Sequence, residues 1–278
     1  MSGSLLLLFV FLSAFLAPPL SRLLRMPVPV GELVIGLLLG HFLAQGVALP
    51  EILGFLADFG FLLLMFLAGL EVDFNLLRQL ERRHFVFYAL YVVGMFLGAG
   101  LLAGLLGVGL AQALILALVS IGLMVATLRD MGILGRAFAK RVLILGVLGE
   151  VASLFGLTAM EKAAHYQGLL SLLKEVGIIA LFFLLLFLAF RLAGLFLWWY
   201  PEVGRRLVYE EDPSAMGIRL SLALMFAAAV MSGLVGLESV LGAFLAGMIL
   251  SYFLQKKHDL EAKLSAMGYG FLIPIFFI

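Results

Sequence analysis

The stretch Arg141–Met160, RVLILGVLGEVASLFGLTAM, sets one carboxylate, Glu150, in an otherwise apolar run. Counted from Val142, Glu150 lies about 12 Å along an α-helix, and about 15 Å of helix follows before the charged pair Glu161-Lys162. A hydrocarbon core of about 30 Å therefore places this carboxylate close to the membrane midplane. Ionised groups at that depth are costly, and they line a pathway or pair with a partner. Two interpretations remain, a structural buried pair or a carboxylate that binds a proton or a cation alternately, and we favour the second.

The composition predicts an integral membrane protein built from helices. The 278 residues are 64% hydrophobic and 13% charged, with a mean hydropathy of +1.21, whereas soluble domains are about half apolar and about a quarter charged. The apolar segments are longer than the roughly 10 residues of a membrane barrel strand. The net charge of +1 gives no reason to expect a nucleic-acid partner, and the lack of cysteine excludes thiol chemistry. Because no basic residue precedes the first apolar run, we predict a retained helix there rather than a cleaved signal peptide.

Ten apolar segments can be marked along the chain. They run approximately over 4–20, 29–48, 53–70, 85–107, 111–128, 142–160, 172–199, 216–235, 237–253 and 268–278. If the connections alternate between two sides, one side collects Arg22, Arg25, Arg78, Arg82, Arg83, Arg129, Arg136, Lys140, Arg141, Arg205, Arg206, Arg219, Lys256, Lys257 and Lys263. The other side holds Lys162 and little else. Basic residues favour the cytoplasmic side, so we predict that the N-terminus lies outside and the connection 129–141 inside.

The second and ninth segments share a pattern that predicts an inverted repeat. PVPVGELVIGLLLG and LESVLGAFLAGMILS each carry Gly-x-x-x-x-Gly, at Gly31 and Gly36 and at Gly242 and Gly247. The segments that follow them, DFGFLLLMFLAG and YGFLIPIFFI, align at nearly the same offset. Since the second segment runs from inside to outside and the ninth runs in the opposite direction, the pattern is typical of the inverted-topology repeats of secondary transporters.

The repeat also predicts the domain organisation. We expect an N-terminal outer helix and connection (1–28), a first repeat of helices two to six (29–160), linking helices (161–236) and the start of a second repeat (237–278). A second unit as long as the first would extend well past Ile278, and the tenth segment is too short to span a bilayer. We therefore expect a C-terminally truncated sequence that lacks part of the tenth helix and three further helices.

Four stretches carry a resemblance to a known family. They are VGELVIGLLLG (30–40), LADFGFLLLMFLAGLEVD (56–73), SIGLMVATLRDMGIL (120–134) and LESVLGAFLAGMILS (237–251). On these motifs the chain is identified as a member of the monovalent cation:proton antiporter superfamily, and it resembles the bacterial Na⁺/H⁺ and K⁺/H⁺ exchangers. The resemblance implies an inverted five-helix repeat antiporter fold in the inner or plasma membrane. It also implies a homodimer in which a core domain with two crossing, broken helices moves against a dimer domain.

The resemblance also assigns the ion-binding carboxylate. In this family the sixth segment carries two adjacent acidic or polar residues that bind the transported ion, and VLGEV at 147–151 matches that position. Glu150 then stands at the essential carboxylate, with Gly149 where a second Asp, Asn or Gln is usual. Because one titratable group remains, we expect one-for-one, electroneutral exchange.

The broken fifth helix of the family supplies further oxygen ligands. It usually carries a Thr-Ser pair and a second Thr near the ion; Ser120 is retained here, while Val119 and Met124 replace the threonines. As hard cations, Na⁺ and K⁺ prefer oxygen ligands. We therefore predict a site of the Glu150 carboxylate, the Ser120 hydroxyl and carbonyls freed where the helix breaks near Gly122.

Three other carboxylates are secondary candidates for ion binding. Glu32 matches the Glu of the family's VGEL motif, and we favour helix capping or a salt bridge over ion binding there. For Asp58 we favour a structural carboxylate at the outer membrane interface. Glu238 opens the ninth segment, where a helix N-terminal charge is favoured over a role in an ion funnel.

The sequence therefore predicts an all-α polytopic antiporter that exchanges Na⁺ or K⁺ for H⁺ through Glu150. Enzyme signatures, such as Gly-x-Ser-x-Gly, His-Glu-x-x-His and the P-loop, are absent from the sequence, and no cofactor is expected. Two alternatives remain open. One is a gated K⁺ efflux system, and the other is a degenerate, non-transporting membrane partner or sensor, which the residues at 119, 124 and 149 favour.

Overall fold

The computed structural model describes residues 3–42, 50–72, 82–134, 136–164, 215–235, 237–253 and 258–278, with isolated positions between 177 and 199. Every regular element within these ranges is helical. In chain order they are α1 (Gly3–Leu23), α2 (Val28–Phe42), α3 (Glu51–Leu70), α4 (Arg82–Leu106), α5 (Leu110–Leu116), α6 (Ile121–Asp130), α7 (Ala137–Ala164), α8 (Met216–Leu234), α9 (Ser239–Phe253), α10 (His258–Met267), a π-helical turn (Gly268–Leu272) and α11 (Ile273–Phe277). The all-helical architecture agrees with the sequence prediction.

Six stretches of helix in the described residues are long and apolar enough to cross a membrane. They are Leu5–Leu23, Glu51–Leu70, Val86–Leu106, Gln112–Asp130, Met216–Leu234 and Leu260–Phe277, while α2 and α9 are apolar but shorter. These helices make the chain a multi-pass membrane protein. Ten spans and the inverted repeat stay predictions, and the predicted seventh segment, 172–199, lies almost entirely outside the described residues.

Helix α3 forms the centre of the packing. Its second half, from Leu63 to Leu70, is completely buried, and the helix packs most extensively on α9. The two backbones touch where glycines face each other: a Cβ atom on Gly69 would collide with the Phe244 carbonyl, and one on Gly247 with the Phe66 carbonyl. Small residues at such contacts allow membrane helices to approach closely and gain van der Waals contact.

Close backbone contacts at glycines also join the neighbouring helices to α3 and α9. A Cβ atom on Gly242 of α9 would collide with the Ala228 carbonyl of α8, and one on Gly60 of α3 with the Leu272 carbonyl of the π-helical turn. The rings of Phe61 and Phe276 stack with their centroids 4.4 Å apart. Helices α3, α8, α9 and α11 therefore form one tightly packed layer.

The predicted fifth segment is a broken helix. Helix α5 ends at Leu116 and α6 begins at Ile121, and both halves pack on α7. The break lies at 117–120, a little before the expected position near Gly122, which itself falls in the first turn of α6. Gly122 faces α3, where a Cβ atom would lie 2.9 Å from Leu64 Cδ2.

The glycine contact between α3 and α9 can be tested with alanine. We expect Gly247→Ala to lower the unfolding temperature in detergent, because the added methyl collides with backbone, and overpacking typically costs about 1–3 kcal/mol. Gly98→Ala in α4 is the matched control, since a Cβ atom there meets nothing within 4 Å and alanine favours a helix by up to about 1 kcal/mol. Equal unfolding temperatures for the two variants would contradict the packing.

Candidate functional site

The break between α5 and α6 exposes polar backbone inside the helix bundle. The end of a helix leaves carbonyls without partners, and the start of the next leaves N–H groups without partners. These ends also carry partial charges, negative at the C-terminus of α5 and positive at the N-terminus of α6. Both helix ends need hydrogen-bonding partners, and side chains of α7 supply a partner to each.

Glu150 accepts a hydrogen bond from the N-terminus of α6, the end with the partial positive charge. Its Oε2 atom accepts a hydrogen bond of 2.9 Å from the Ile121 backbone N–H, the first residue of α6. A carboxylate at a helix N-terminus is favourable because the dipole and the free N–H groups both attract negative charge. The structure thus brings the carboxylate that the sequence singled out directly to the broken helix.

Ser153 donates a hydrogen bond to the C-terminus of α5, the end with the partial negative charge. Its buried hydroxyl donates one proton that two carbonyl oxygens share, that of Ala117 at the end of α5, 2.9 Å away, and that of Gly149 within α7, 2.7 Å away. Residues three apart share one face of a helix, so Glu150 and Ser153 approach the break side by side. Sequence reasoning missed Ser153, although a second polar residue one turn after Glu150 in an apolar segment was a readable signal.

Ser120 lies in the break, next to the N–H group that Glu150 binds. It is the N-cap of α6, and its hydroxyl oxygen accepts a 3.3 Å hydrogen bond from the Leu123 N–H. Among the described residues, no group of three or more His, Cys, Asp and Glu side chains could hold a metal ion. A cation at this site would therefore need backbone carbonyls, hydroxyls and water to complete the ligand set around a single carboxylate.

The residues of the broken helix at which the sequence is expected to depart from the family's pattern lie against glycines of α7. A Cβ atom on Gly149 would lie 3.1 Å from Val119 Cγ2, and one on Gly146 would lie 2.9 Å from Met124 Sδ. The apolar residues on the broken helix thus occupy the space that the two glycines of α7 leave open. A side chain at 149 would therefore crowd Val119, which would have to shift by a few tenths of an ångström.

The secondary candidates lie elsewhere. Glu32 is 5% exposed and lines a cavity with Asp130, whose Oδ2 caps α2 by accepting a 3.0 Å hydrogen bond from the Val28 N–H. Asp58 is exposed on α3, and Glu238 is exposed immediately before α9. Within the described part of the chain, no hydrogen bond links any of these three carboxylates to Glu150.

Removing the Ser153 hydroxyl tests its role at the break. We expect Ser153→Ala to lower the free energy of unfolding by about 1–3 kcal/mol, because the buried Ala117 carbonyl loses its donor. Ser221→Ala is the matched control, since that buried hydroxyl bonds only the carbonyl one turn earlier in its own helix, Gly217, at 2.7 Å. Unfolding in detergent measures both, and equal losses would contradict a role for Ser153 at the break.

The chain matches a family model described as "Sodium/hydrogen exchanger, transmembrane" over residues 11–278. The Na(+)/H(+) antiporter of Enterococcus hirae is 29% identical over 286 residues, covering 98% of this chain and 71% of that relative. The Na(+)/H(+)-K(+) antiporter GerN of Bacillus cereus is 27% identical over 282 residues, covering 97% and 68%. The glutathione-regulated potassium-efflux system protein KefC of Escherichia coli is 27% identical over 277 residues, covering 96% and 43%.

The match extends over nearly the whole chain but not over the whole of each relative. A Bacillus subtilis relative, 28% identical over 299 residues, is spanned to 46% of its length. The chain thus spans between about half and seven tenths of most of the relatives it matches. Because the family model covers all but the first ten residues, the chain belongs to the transmembrane sodium/hydrogen exchanger family, within the monovalent cation:proton antiporter superfamily.

Proposed function

We propose that this chain exchanges Na⁺ or K⁺ for H⁺ across a membrane, with Glu150 as the group that binds either ion. The observation that carries the proposal is the 2.9 Å hydrogen bond from the Ile121 N–H, at the break between α5 and α6, to the Glu150 carboxylate. Unwound backbone and half-helix ends are where secondary transporters bind their coupling ions. The family supports cation:proton exchange in general, and the site supports the choice of residue.

The mechanism follows from competition for one negative charge. A carboxylate within a membrane is expensive unless a proton, a cation or a dipole compensates it. In the described arrangement the N-terminus of α6 compensates Glu150. A proton would neutralise the carboxylate covalently, and a cation would do so by binding between it and nearby oxygens. Because the two ions need the same oxygens, binding of one excludes the other.

Coupling requires that only the neutralised site crosses the membrane. If the loaded site changes its access from one side to the other and the charged, empty site does not, each proton that moves one way allows one cation to move the other way. A single carboxylate holds one proton or one monovalent cation, so the exchange is electroneutral. The Ser120 hydroxyl and the carbonyls of 117–120 supply the remaining oxygens.

The membrane context is part of the proposal. The predicted arrangement has the N-terminus outside the plasma membrane, the basic connections on the cytoplasmic side, and a homodimer built from inverted five-helix repeats. The charge asymmetry of the sequence supports the orientation, and the resemblance to the exchangers supports the dimer and the repeat. The domain boundaries after residues 28, 160 and 236 belong to the same proposal.

Two alternatives have specific support. The match to KefC favours a gated K⁺ efflux system. The apolar residues Val119 and Met124, packed where the family usually has hydroxyls, favour a membrane partner or sensor that does not transport. Transport measurements separate the exchanger from the second alternative directly.

The proposal predicts the behaviour of a single substitution. In proteoliposomes with an acidic lumen, Na⁺ or K⁺ added outside should release protons through the wild-type protein, as reported by a pH-sensitive dye. Glu150→Gln should abolish this release, because the amide neither exchanges a proton nor carries the negative charge for which the two ions compete. Glu51→Gln, at an exposed carboxylate in the first turn of α3, should exchange as the wild type does.

Each result has a defined consequence for the proposal. Exchange that persists in Glu150→Gln would contradict the role of this carboxylate. If the wild type moves no protons with either cation, transport by this chain is contradicted and the non-transporting alternative is favoured. A rate that changes with an imposed membrane potential would contradict electroneutral exchange.

A further inference from the structure

A cavity of about 670 Å³ lies at the end of the bundle where α1 ends, α2 begins and α6 ends. Its wall includes residues of five elements: α1, α2, α6, the π-helical turn and α11. The lining residues that carry the argument are Phe15, Arg22, Glu32, Arg129, Asp130 and Phe271. Because Arg22 and Arg129 belong to the basic side of the chain, this is the end that the charge asymmetry places at the cytoplasmic surface.

Most of the residues that line the cavity are apolar. Phe11 of α1 and Phe271 of the π-helical turn stack with their centroids 5.6 Å apart, and both contribute to the lining. Phe15 is 75% exposed and Phe271 is 44% exposed, so the mouth of the cavity opens where lipid chains would lie. An apolar mouth of this kind would admit a lipid chain laterally from the membrane.

The other end of the cavity carries both signs of charge. Arg22 and Arg129 supply two guanidinium groups, and Glu32 and Asp130 supply two carboxylates. The four charged groups differ in how far the protein already provides them with partners. Asp130 bonds the Val28 N–H, the Arg129 guanidinium lies over the Tyr269 ring at 4.8 Å from its centroid, and Arg22 is exposed.

Of the two carboxylates at the cavity, Glu32 is the one that makes no hydrogen bond within the described residues. It is 5% exposed, and no donor among the described residues bonds its carboxylate, which borders the cavity. A buried carboxylate that lacks a partner is strongly unfavourable, so such groups are paired, protonated or bound to a ligand. A ligand with a positively charged hydrogen-bond donor would supply the Glu32 carboxylate with a partner.

We propose that the cavity binds an aminophospholipid from the cytoplasmic leaflet, such as phosphatidylethanolamine. The ammonium group bonds Glu32, the phosphate faces the exposed Arg22, and one acyl chain runs along Phe11, Phe15 and Phe271. Basic pockets between membrane helices on the cytoplasmic side are known to hold lipid head groups. Here a buried carboxylate and an exposed guanidinium that line the same cavity select a head group that carries both charges.

Other ligand classes fit less of the wall. An anionic lipid such as phosphatidylglycerol could pair with Arg22, but its glycerol hydroxyls would offer Glu32 only neutral donors and no positive charge. An inorganic cation could pair with Glu32 but would leave the apolar part of the cavity unfilled. The proposed site is separate from Glu150, so it does not depend on the transported ion.

Gly270 provides a way to fill the cavity without changing its charges. It belongs to the π-helical turn, borders the cavity, and a Cβ atom on it would meet nothing within 4 Å. The π-helical geometry is itself rare and often marks functional sites. Gly270→Leu should therefore occupy the space of the lipid, while Gly98→Leu, at an equally open glycine on α4, is the matched control.

Native mass spectrometry of the purified protein tests the proposal. The detergent-solubilised protein is mixed with equal amounts of phosphatidylethanolamine and phosphatidylglycerol that carry the same acyl chains, and the retained lipid is counted. The wild type should retain phosphatidylethanolamine about tenfold better, as one charge-assisted hydrogen-bonded contact allows. Glu32→Gln should remove that preference, and Gly270→Leu should reduce retention of both lipids, whereas Gly98→Leu should change neither.

The same measurement can overturn the proposal. Equal or better retention of phosphatidylglycerol by the wild type would contradict the assignment of the ammonium to Glu32. Unchanged retention in Gly270→Leu would show that the lipid binds elsewhere. The unfolding temperature of each variant, measured without added lipid, shows whether the variant has lost the lipid site or the fold. If Gly270→Leu is unstable, the loss of preference in Glu32→Gln still tests the proposal.

Discussion

The hydrogen bond from the Ile121 N–H to the Glu150 carboxylate is the interaction on which the rest of the site depends. A broken helix inside a membrane bundle is stable only if its exposed backbone groups find partners. The carboxylate of Glu150 supplies the partner for the N-terminal half, and the Ser153 hydroxyl supplies it for the C-terminal half. The break and the carboxylate therefore stabilise each other, and neither is favourable in an apolar environment alone.

The same bond gives the site its chemistry. While the N-terminus of α6 compensates the carboxylate, the proposed proton or cation would compete with it, so in the proposed mechanism loading the site loosens the contact between α6 and α7. Elsewhere the chain is packed through glycines that bring backbones together, as between α3 and α9. Because such contacts leave little room for rearrangement, a change at the break is more easily accommodated by movement of the broken helix and α7 than by distortion of the α3–α9 layer.

Some features of the fold and of the candidate site can be predicted from the sequence, and others cannot, for physical reasons. Apolar length predicts the helices, and a lone carboxylate in an apolar segment singles out Glu150, because both are properties of one segment. The role of Ser153 and the cavity beside Glu32 depend on contacts between segments distant in the sequence. The break lies before Gly122 because Ser120 caps the second half-helix, and the glycine instead serves the contact with Leu64.

The most direct test of the central claim is whether protons and cations compete for Glu150. A carbodiimide such as dicyclohexylcarbodiimide reacts with the protonated form of a buried carboxyl, and mass spectrometry of the peptide that contains Glu150 measures its labelling. The account predicts that Na⁺ or K⁺ reduces this labelling in proportion to its concentration, while choline at the same ionic strength does not. Labelling that is the same in choline, Na⁺ and K⁺ would contradict it.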